Sequence, residues 1–420
     1  MRRRASSRGL AGAVPAVVLS LTAGGPAAAL PAGPDGAAAT EEIVRAVTAE
    51  QLEGHLRAFQ EAADAHGGNR AAGTAGYRAS VDYVVERLQA AGYDPRVQVF
   101  TVPDEHHDEH HDEHHDEYDD EEYGEGTAAG PRVTYNVLAD TPTGDPGSTV
   151  VVGAHLDSVP EGPGLNDNGS GAAGVLAAAE ALAGTDTRNR VRFAWWGAEE
   201  LNLNGADHYV SDLRANDPGA FEDIAMYLNF DMIGSPNYGR FVYDGDTSGG
   251  GWHDDAVEAP AGSDAIEVAF EGYFESEAVA FDEVPIDDGS DHLVFAEAGI
   301  PVGGLFTGDT GEKTRQEAAR YGGEAGVAYD PCYHAACDDL DNVDRQVLEE
   351  MSDAMAAVVL GFASSTLDDG TPLDPPDGWP RRGVLEELGP VLTGLAVGSV
   401  VAAVAVAVAV GVRRRARGRR

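Results

Sequence analysis

Positively charged side chains are scarce in this sequence, and their scarcity excludes one class of partner. The 420 residues include 28 Lys and Arg against 72 Asp and Glu, for a formal net charge of −44. Ten of the basic residues lie in the first eight and last eight positions, so the rest of the chain is more acidic still. Because nucleic acids are bound by cationic faces, we exclude them as partners. Calcium binding to the acidic surface stays open.

Cysteine is almost absent as well. The two cysteines, Cys332 and Cys337, stand five positions apart, so a bond between them closes a small loop and cannot join distant segments. Outside a cell such a pair is expected to form a disulfide. The enclosed loop contains Tyr333 and His334.

Charge is missing altogether from residues 391–412, an unbroken run of apolar and small residues. About 20 apolar residues are needed to cross a bilayer. The run is followed by an arginine-rich tail, 413–420, and clustered arginines mark the cytoplasmic side. We therefore predict a C-terminal transmembrane helix that leaves the bulk of the chain outside the cell.

The N-terminus predicts export. Three arginines at positions 2–4 precede a small apolar run and then three alanines at 27–29, the order of a secretory signal peptide. We assign 1–29 to this signal, 30–47 to a linker rich in small residues, and 364–390 to a stalk rich in Pro and Asp. One folded domain, 48–363, lies between them.

Strands and helices alternate over 48–363. This alternation predicts a single three-layer α/β/α domain with a mixed, mainly parallel central sheet. Thr48, with Gln51 three positions on, has the spacing of a helix start, and 244–263 reads as loop. Strands are predicted at 96–102, 133–138, 149–152, 191–196, 225–230 and 301–306, and further helices at 77–91, 169–182, 206–213, 263–274, 292–298 and 343–362.

An acidic, histidine-rich insertion occupies 104–123. It contains three successive copies of Asp-Glu-His-His and cannot bury a core, so we expect a solvated loop. We favour a repeat that expanded in a tolerant loop, because it implies no fixed ligand geometry. The alternative is weak divalent-metal capture by its histidines: His106, His107, His110, His111, His114 and His115.

Histidines and carboxylates follow the predicted strands at the edge where open α/β sheets bind ligands. Two histidines and three carboxylates suit zinc, manganese or cobalt. Two such ions roughly 3.5–4 Å apart need a bridging carboxylate. We assign Asp167 as the bridge, His155 with Asp231 to one ion, Glu200 with His334 to the other, Asp157 to orienting His155, and Glu199 as the general base.

Five ordered motifs resemble the secreted bacterial double-zinc leucyl aminopeptidases, zinc-dependent exopeptidases of metallopeptidase clan MH. The resemblance implies two zinc ions, a bridging hydroxide as nucleophile, Glu199 as the base that later protonates the leaving amine, and Tyr333 as a hydrogen-bond donor to the oxyanion. The motifs are His155-Leu156-Asp157-Ser158, Asn166-Asp167-Asn168-Gly169-Ser170-Gly171, Trp196-Gly197-Ala198-Glu199-Glu200, Asn229-Phe230-Asp231-Met232-Ile233-Gly234 and Cys332-Tyr333-His334.

The resulting expectation is a cell-surface, monomeric aminopeptidase that removes large apolar N-terminal residues from peptides. Phe306 lines the side-chain pocket in this interpretation, although a strand-end phenylalanine is equally consistent with core packing. One departure from the family pattern is Gly289, where an arginine is expected before Ser290. If this position binds the substrate amine through its main-chain carbonyl, Gly289 can keep that role. If the arginine side chain contributes in the relatives, the substrate specificity of this chain shifts.

Two other functions remain open from the sequence. A related clan member with different chemistry, such as a carboxypeptidase or a glutaminyl cyclase, would use a similar site. A non-enzymatic surface protein would instead bind metal through the Asp-Glu-His-His repeats.

Overall fold

The computed structural model describes residues 34–102, 132–249, 257–287 and 289–367. The predicted signal peptide, the insertion 104–123, the stalk from residue 368, the transmembrane helix and the basic tail lie outside these residues. Within the described ranges, no helix has the length and apolar character needed to span a membrane.

The described residues form one eight-stranded mixed sheet, in the order β1-β2-β4-β3-β5-β8-β6-β7. The four adjacent strands β4, β3, β5 and β8 are mutually parallel. Antiparallel pairs join β1 to β2, β2 to β4 and β6 to β8, so the prediction of a mainly parallel mixed sheet is confirmed. The strands are β1 Arg96–Val102, β2 Arg132–Asp140, β3 Asp145–His155, β4 Asn189–Trp196, β5 Ile224–Phe230, β6 Phe241–Asp244, β7 Asp282–Pro285 and β8 Val302–Phe306.

Helices cover both faces of the sheet. Along β3, Val150 and Val152 pack on one helical layer while Val151 faces the other. This alternation of wholly buried side chains is what a central strand between two layers requires. The first layer contains α1 Pro34–Ala46, α2 Ala49–Ala65, α3 Ala75–Ala91, α4 Gly169–Leu182, α7 Ser263–Ser276 and α10 Arg345–Ser364; the second contains α5 Asn204–Asn216, α6 Pro218–Glu222 and α8 His292–Glu297; the short α9 Arg315–Tyr321 follows β8.

Helix ends follow the signals in the sequence. Thr48 caps α2, its hydroxyl oxygen accepting from the amide of Gln51 at 3.2 Å. Gly92 ends α3 with φ +96°, a left-handed conformation that favours glycine. The helix predicted at 169–182 matches α4. Its first residues follow the loop that carries Asp167, so the start of α4 positions one side of the site.

The prediction of a linker over 30–47 was wrong for the part of this segment that the structure describes. Residues Pro34–Ala46 form α1, and Ile43 and Val47 are buried in the helical layer that includes α10. Proline at the first position of a helix is favourable, because its missing amide would have no partner there. Small-residue composition therefore disguised a helix stabilised by tertiary contacts. The sequence analysis also missed the four-residue strands β6 and β7.

Candidate metal centre

The site lies at the carboxyl ends of three adjacent parallel strands. His155 is the last residue of β3, Asp231 follows β5, and the pair Glu199 and Glu200 follows β4 after two small residues. Strand register brings these ends together, since His155 pairs with Trp196 at the end of β4. The turn between β3 and α4 adds Asp167 to the same edge.

His155 stands at the centre of a first group of acids. Its Nε2 lies 3.2 Å from Asp167 Oδ1, 3.4 Å from Asp231 Oδ1 and 4.0 Å from Glu199 Oε2. His155 is almost wholly buried. The structure thus brings together the residues that the sequence analysis assigned to one metal ion.

His334 organises a second group. Its Nε2 lies 3.1 Å from Asp167 Oδ2 and 3.1 Å from Glu200 Oε2. Asp167 therefore directs one carboxylate oxygen to each histidine, which is the geometry of a bridging ligand. His334 has φ +53° and a partly exposed ring, so this side of the site opens to solvent.

Asp157 orients His155 differently from the prediction. The nearest acceptor for Nδ1 is the main-chain carbonyl of Asp157 at 3.2 Å, while the carboxylate Oδ1 lies at 3.7 Å. That Oδ1 accepts the main-chain amide of Glu199 at 3.2 Å. Asp157 consequently positions two residues: it directs Nε2 of His155 toward the acids and fixes the start of the Glu199 loop.

The concentration of carboxylates shifts the acid–base properties of the site. Burial raises the pKa of Glu199 well above its ordinary value, against the opposing attraction of His155. Burial, with the nearby charge of Asp167, raises the pKa of Glu200 to about 7. Burial lowers the pKa of His334, but its bonds to Asp167 and Glu200 outweigh this effect and raise it to about 10. The site therefore favours additional positive charge.

Unpaired atoms point to the same need. Glu200 Oε1 and Asp157 Oδ2 are buried and have no hydrogen-bond partner among the described residues. His155 belongs to two sets of possible ligand atoms, one with Glu199 and Asp231 and the other with Asp167 and Glu200. Within each set the ligand atoms lie within 4.8 Å of one another. Imidazole nitrogens with carboxylate oxygens form a donor set that zinc accepts. The residues present thus fit a zinc centre.

A third group of carboxylates, Asp244, Glu267 and Glu283, lies apart from the two histidines. Because β6 runs antiparallel to β8, Asp244 at the carboxyl end of β6 lies toward the amino end of β8, at the opposite edge of the sheet from the histidines. Main-chain amides of the following turn donate to Asp244 and Glu267. The turn geometry accounts for these contacts, and we assign no ligand there.

Tyr333 and the cysteines flank His334. The predicted disulfide between Cys332 and Cys337 is present and closes the loop around both residues. The ring of Tyr333 stacks on His334 with centroids 3.9 Å apart. Burial, followed by the charges of Asp167 and Asp231, raises the pKa of Tyr333 far above its ordinary value. Its phenol stays protonated and can donate a hydrogen bond.

Phe306 ends β8 beside other aromatic rings. It is partly exposed, with Phe241 at 6.1 Å and Tyr243 at 6.5 Å between centroids. An apolar wall therefore lies at the end of β8. Gly289, the departure noted in the sequence, donates its main-chain amide to Asp287 Oδ1 at 3.1 Å.

Sequence reasoning missed three polar residues at the site. Ser290 donates its hydroxyl to Asp231 Oδ2 at 2.6 Å. Asp291 is wholly buried, and both carboxylate oxygens lack a hydrogen-bond partner within the described ranges. Their position just before α8 was visible in the sequence, but no strand pattern directed them to this edge.

The third missed residue is Arg70, from the turn between α2 and α3. It is fully buried, and its guanidinium donates to the main-chain carbonyls of Leu156, Pro163 (2.8 Å) and Gly164. One side chain thus holds the loop that separates His155 from Asp167. The run Gly67-Gly68-Asn69-Arg70 is part of the resemblance to the aminopeptidases, but it does not reveal the contacts of the arginine.

Known proteins are similar to this chain in sequence and in fold. An aminopeptidase of Pseudomonas aeruginosa is 51% identical over 238 residues, which are 56% of this chain and 43% of that protein. Leupeptin-inactivating enzyme 1 of Streptomyces exfoliatus is 40% identical over 368 residues, 87% of this chain and 69% of that enzyme. The match to the Pseudomonas aminopeptidase spans less than half of that protein.

The fold also resembles that of a solved aminopeptidase structure. BSAP, a zinc aminopeptidase from Bacillus subtilis, superposes with a TM-score of 0.58 at 18% identity, covering 77% of this chain and 98% of that one. At this identity the likeness establishes the shared fold alone. The sequence profile of peptidase family M28 matches residues 136–359, which contain every histidine and carboxylate of the site. The chain therefore belongs to peptidase family M28.

Proposed function

We propose that this chain is a zinc aminopeptidase that removes N-terminal residues from peptides outside the cell. The observation that carries the proposal is Asp167, whose two oxygens face two different histidines. A pair of catalytic metal ions about 3.5–4 Å apart uses such a bridging carboxylate. The aminopeptidase activity named for the Pseudomonas relative supports the same conclusion.

Two zinc ions are the cofactor in this proposal. His155 and Asp231 would hold one ion, Glu200 and His334 the other, and Asp167 would lie between them. The unpaired Oε1 of Glu200 supports a cation at this place. When bound, zinc polarises a carbonyl and lowers the pKa of water toward neutrality.

Glu199 is the residue we assign to proton transfer. It lies beside His155 without being needed as a ligand, and burial raises its pKa, which makes the carboxylate a stronger proton acceptor. Its carboxylate would take a proton from the attacking water and pass it to the leaving amine. The hydrogen bond that the main-chain amide of Glu199 donates to Asp157 Oδ1 holds the loop in position for this step.

Tyr333 is assigned to the developing oxyanion. Its raised pKa keeps the phenol protonated, so the O–H can donate to the scissile carbonyl oxygen as negative charge forms there. The free amine of the substrate would lie near Glu199 and Asp231, whose negative charge suits an ammonium group. Ser290 keeps Asp231 oriented.

Large apolar N-terminal residues, such as leucine, are the substrates we propose. Phe306 and its aromatic neighbours support an apolar pocket at the end of β8. A pocket of this kind gains free energy roughly in proportion to the apolar surface it covers.

We also propose that the protein is an exported monomer anchored by residues 391–412. The sequence pattern of the two ends supports this location. Cells expressing the full chain should carry the activity in their membrane fraction, and a chain truncated after residue 390 should release it into the medium. Activity confined to the cytosol in both cases would contradict the proposal.

A test of the activity uses the purified full-length chain. It should hydrolyse Leu-p-nitroanilide, lose this activity with 1,10-phenanthroline and regain it with zinc. N-acetyl-Leu-p-nitroanilide, which lacks the free amine, should remain uncleaved. Equal cleavage of both substrates would exclude an aminopeptidase, and inactivity after zinc repletion would refute the proposal.

A further inference from the structure

Three consecutive main-chain amides of the loop that carries Asp167 donate to a single residue. Leu165 donates to the main-chain carbonyl of Asp338 at 3.0 Å, Asn166 to its Oδ1 at 2.8 Å and Asp167 to its Oδ2 at 3.0 Å. Asp338 is almost wholly buried. Its carboxylate therefore holds the main chain of the bridging residue itself.

The same carboxylate belongs to a polar cluster with Asp330 and Asn342. The side-chain amide of Asn342 donates to Asp338 Oδ1 at 3.0 Å and to Asp330 Oδ1 at 3.0 Å. Asp330 also accepts the side-chain amide of Asn166 at 2.7 Å and the main-chain amide of Cys332 at 2.8 Å. The cluster thus contacts the Asp167 loop on one side and the His334 loop on the other.

The two halves of the metal centre are held in different ways. His155 and Asp231 lie at the ends of paired strands, so the sheet fixes their separation. His334 lies in a loop without strand pairing, between Asp330 and Asp338. The disulfide between Cys332 and Cys337 closes this loop on itself, whereas the distance of His334 from Asp167 depends on the contacts of Asp338, Asp330 and Asn342.

We propose that Asp338 is a positioning residue that sets the distance between Asp167 and His334, and so controls the affinity of the second metal position. The inference rests on the two-zinc function proposed above. The carboxylate of Asp338 accepts two main-chain amides and the side-chain amide of Asn342, and we assign it no contact with the substrate. It acts by accepting two adjacent main-chain amides, and a side-chain amide in its place can accept only one while presenting an N–H to the other.

The test compares Asp338→Asn with Asp339→Asn in the full-length chain, freed of metal and titrated with zinc against a competing chelator. Asp339 is the matched control: its Oδ1 accepts the amide of Asp341 at 2.9 Å and contributes nothing to the Asp167 loop. Asp338→Asn should lower the affinity for one of the two zinc ions by about 10–100-fold, the usual effect of removing a residue that orients a metal ligand. Asp339→Asn should bind both ions as the wild type does.

A double variant localises the effect. His334→Ala removes the second position, so adding Asp338→Asn to it should leave the affinity of the remaining zinc unchanged within about threefold, because the coupled site is already lost. If Asp338→Asn does not fold, Asn342→Ala replaces it in the test. This variant removes the side-chain amide that joins Asp330 to Asp338, and it should lower the affinity for the same zinc ion.

Each outcome separates the inference from the function on which it rests. Unchanged binding of both ions by a folded Asp338→Asn, or equal weakening of both, would overturn the positioning role and leave the aminopeptidase proposal intact. Wild-type protein that binds fewer than two zinc ions would overturn both.

Discussion

At the scale of single residues, two neighbouring carboxylates have different tasks. Glu200 contacts His334 at 3.1 Å, whereas Glu199 faces His155 at 4.0 Å and remains available for proton transfer. Glu199→Gln keeps the shape of the side chain but removes its ability to accept a proton. We expect kcat for Leu-p-nitroanilide to fall by about 10²–10⁴-fold, the usual contribution of a general base, with zinc content unchanged by elemental analysis.

Glu200→Gln is the control for this prediction. The adjacent substitution removes a carboxylate placed among the ligand atoms, so it should lower zinc content as well as activity. Turnover retained by Glu199→Gln would remove Glu199 from its role. Loss of zinc from Glu199→Gln would show that Glu199 acts as a ligand instead.

Asp353 provides a residue-scale prediction away from the site. It lies in α10 with one carboxylate oxygen buried and unpaired among the described residues. Burial, with the charges of Glu349, Glu277 and Glu350, raises its pKa to about 7. A raised carboxyl pKa means that the folded state binds the proton more tightly than the unfolded chain, so stability falls as pH rises from about 4 to 7.

Asp353→Asn should therefore raise Tm by about 2–4 °C at pH 8, roughly 1 kcal/mol for a domain of this size, and by much less near pH 4. Calorimetry of the zinc-loaded protein at both pH values measures the difference. Glu350→Gln, on the same helix, should lower Tm because Glu350 accepts from Arg240 at 2.8 Å. A rise in Tm for both variants would attribute the effect to net charge rather than to burial.

Residues differ in how far the sequence reveals them. His155, Glu200 and Asp231 could be predicted because each follows an apolar strand, and parallel strands end at a common edge. Arg70 and Asp338 could not, since their partners are main-chain groups 86 and 171 positions away. Such contacts depend on how loops pack, and side-chain type alone does not specify them.

At the scale of elements, the length of the buried apolar run decided which strands could be predicted from the sequence. The strand predicted at 191–196 is apolar except for Arg192 and appears as β4 Asn189–Trp196, whose last six residues are all buried. The strand β6 is also wholly buried, but its four residues are too few to show a pattern, and β7 is equally short and only partly buried. The helix α1 is rich in small residues, and packing against larger neighbours stabilises it. Segments whose structure comes from neighbours are the ones that sequence patterns miss.

The hairpin of β1 and β2 carries the His-rich insertion. The two strands pair without interruption from Arg96 with Leu138 to Val102 with Arg132. Shortening the connection should leave this register intact, because loop closure depends only weakly on loop length. We expect a chain lacking 104–123 to keep kcat/KM for Leu-p-nitroanilide within about threefold, since connections between strands tolerate deletion better than the strands themselves.

The deletion also separates two functions. An enzyme built on the strand-end site keeps its two zinc ions and its activity without the repeats. A surface metal-binding protein built on the repeats would lose most of its metal capacity, measured by zinc titration, and would have no activity to retain. Loss of activity with full zinc retention would instead assign the insertion a part in substrate binding.

At the scale of the whole molecule, the net charge of −44 opposes compaction. Like charges destabilise a folded chain by repulsion, and salt screens them: the Debye length falls from about 30 Å at 0.01 M to about 3 Å at 1 M. Tm of the zinc-loaded protein should therefore rise between 10 mM and 0.5 M NaCl, by about 2–4 °C for each kcal/mol of repulsion removed. Scanning calorimetry at fixed pH and zinc measures it.

The salt dependence needs a control, because solutes also stabilise proteins by exclusion from their surface. Sucrose is excluded but does not screen charge, and its effect grows steadily with concentration. Screening has a different signature: most of the gain comes at low salt, where the Debye length still exceeds the spacing of the surface carboxylates. A Tm that stays flat up to 0.5 M NaCl, or rises in step with the sucrose series, would show that surface repulsion contributes little and that the acidic composition has another origin.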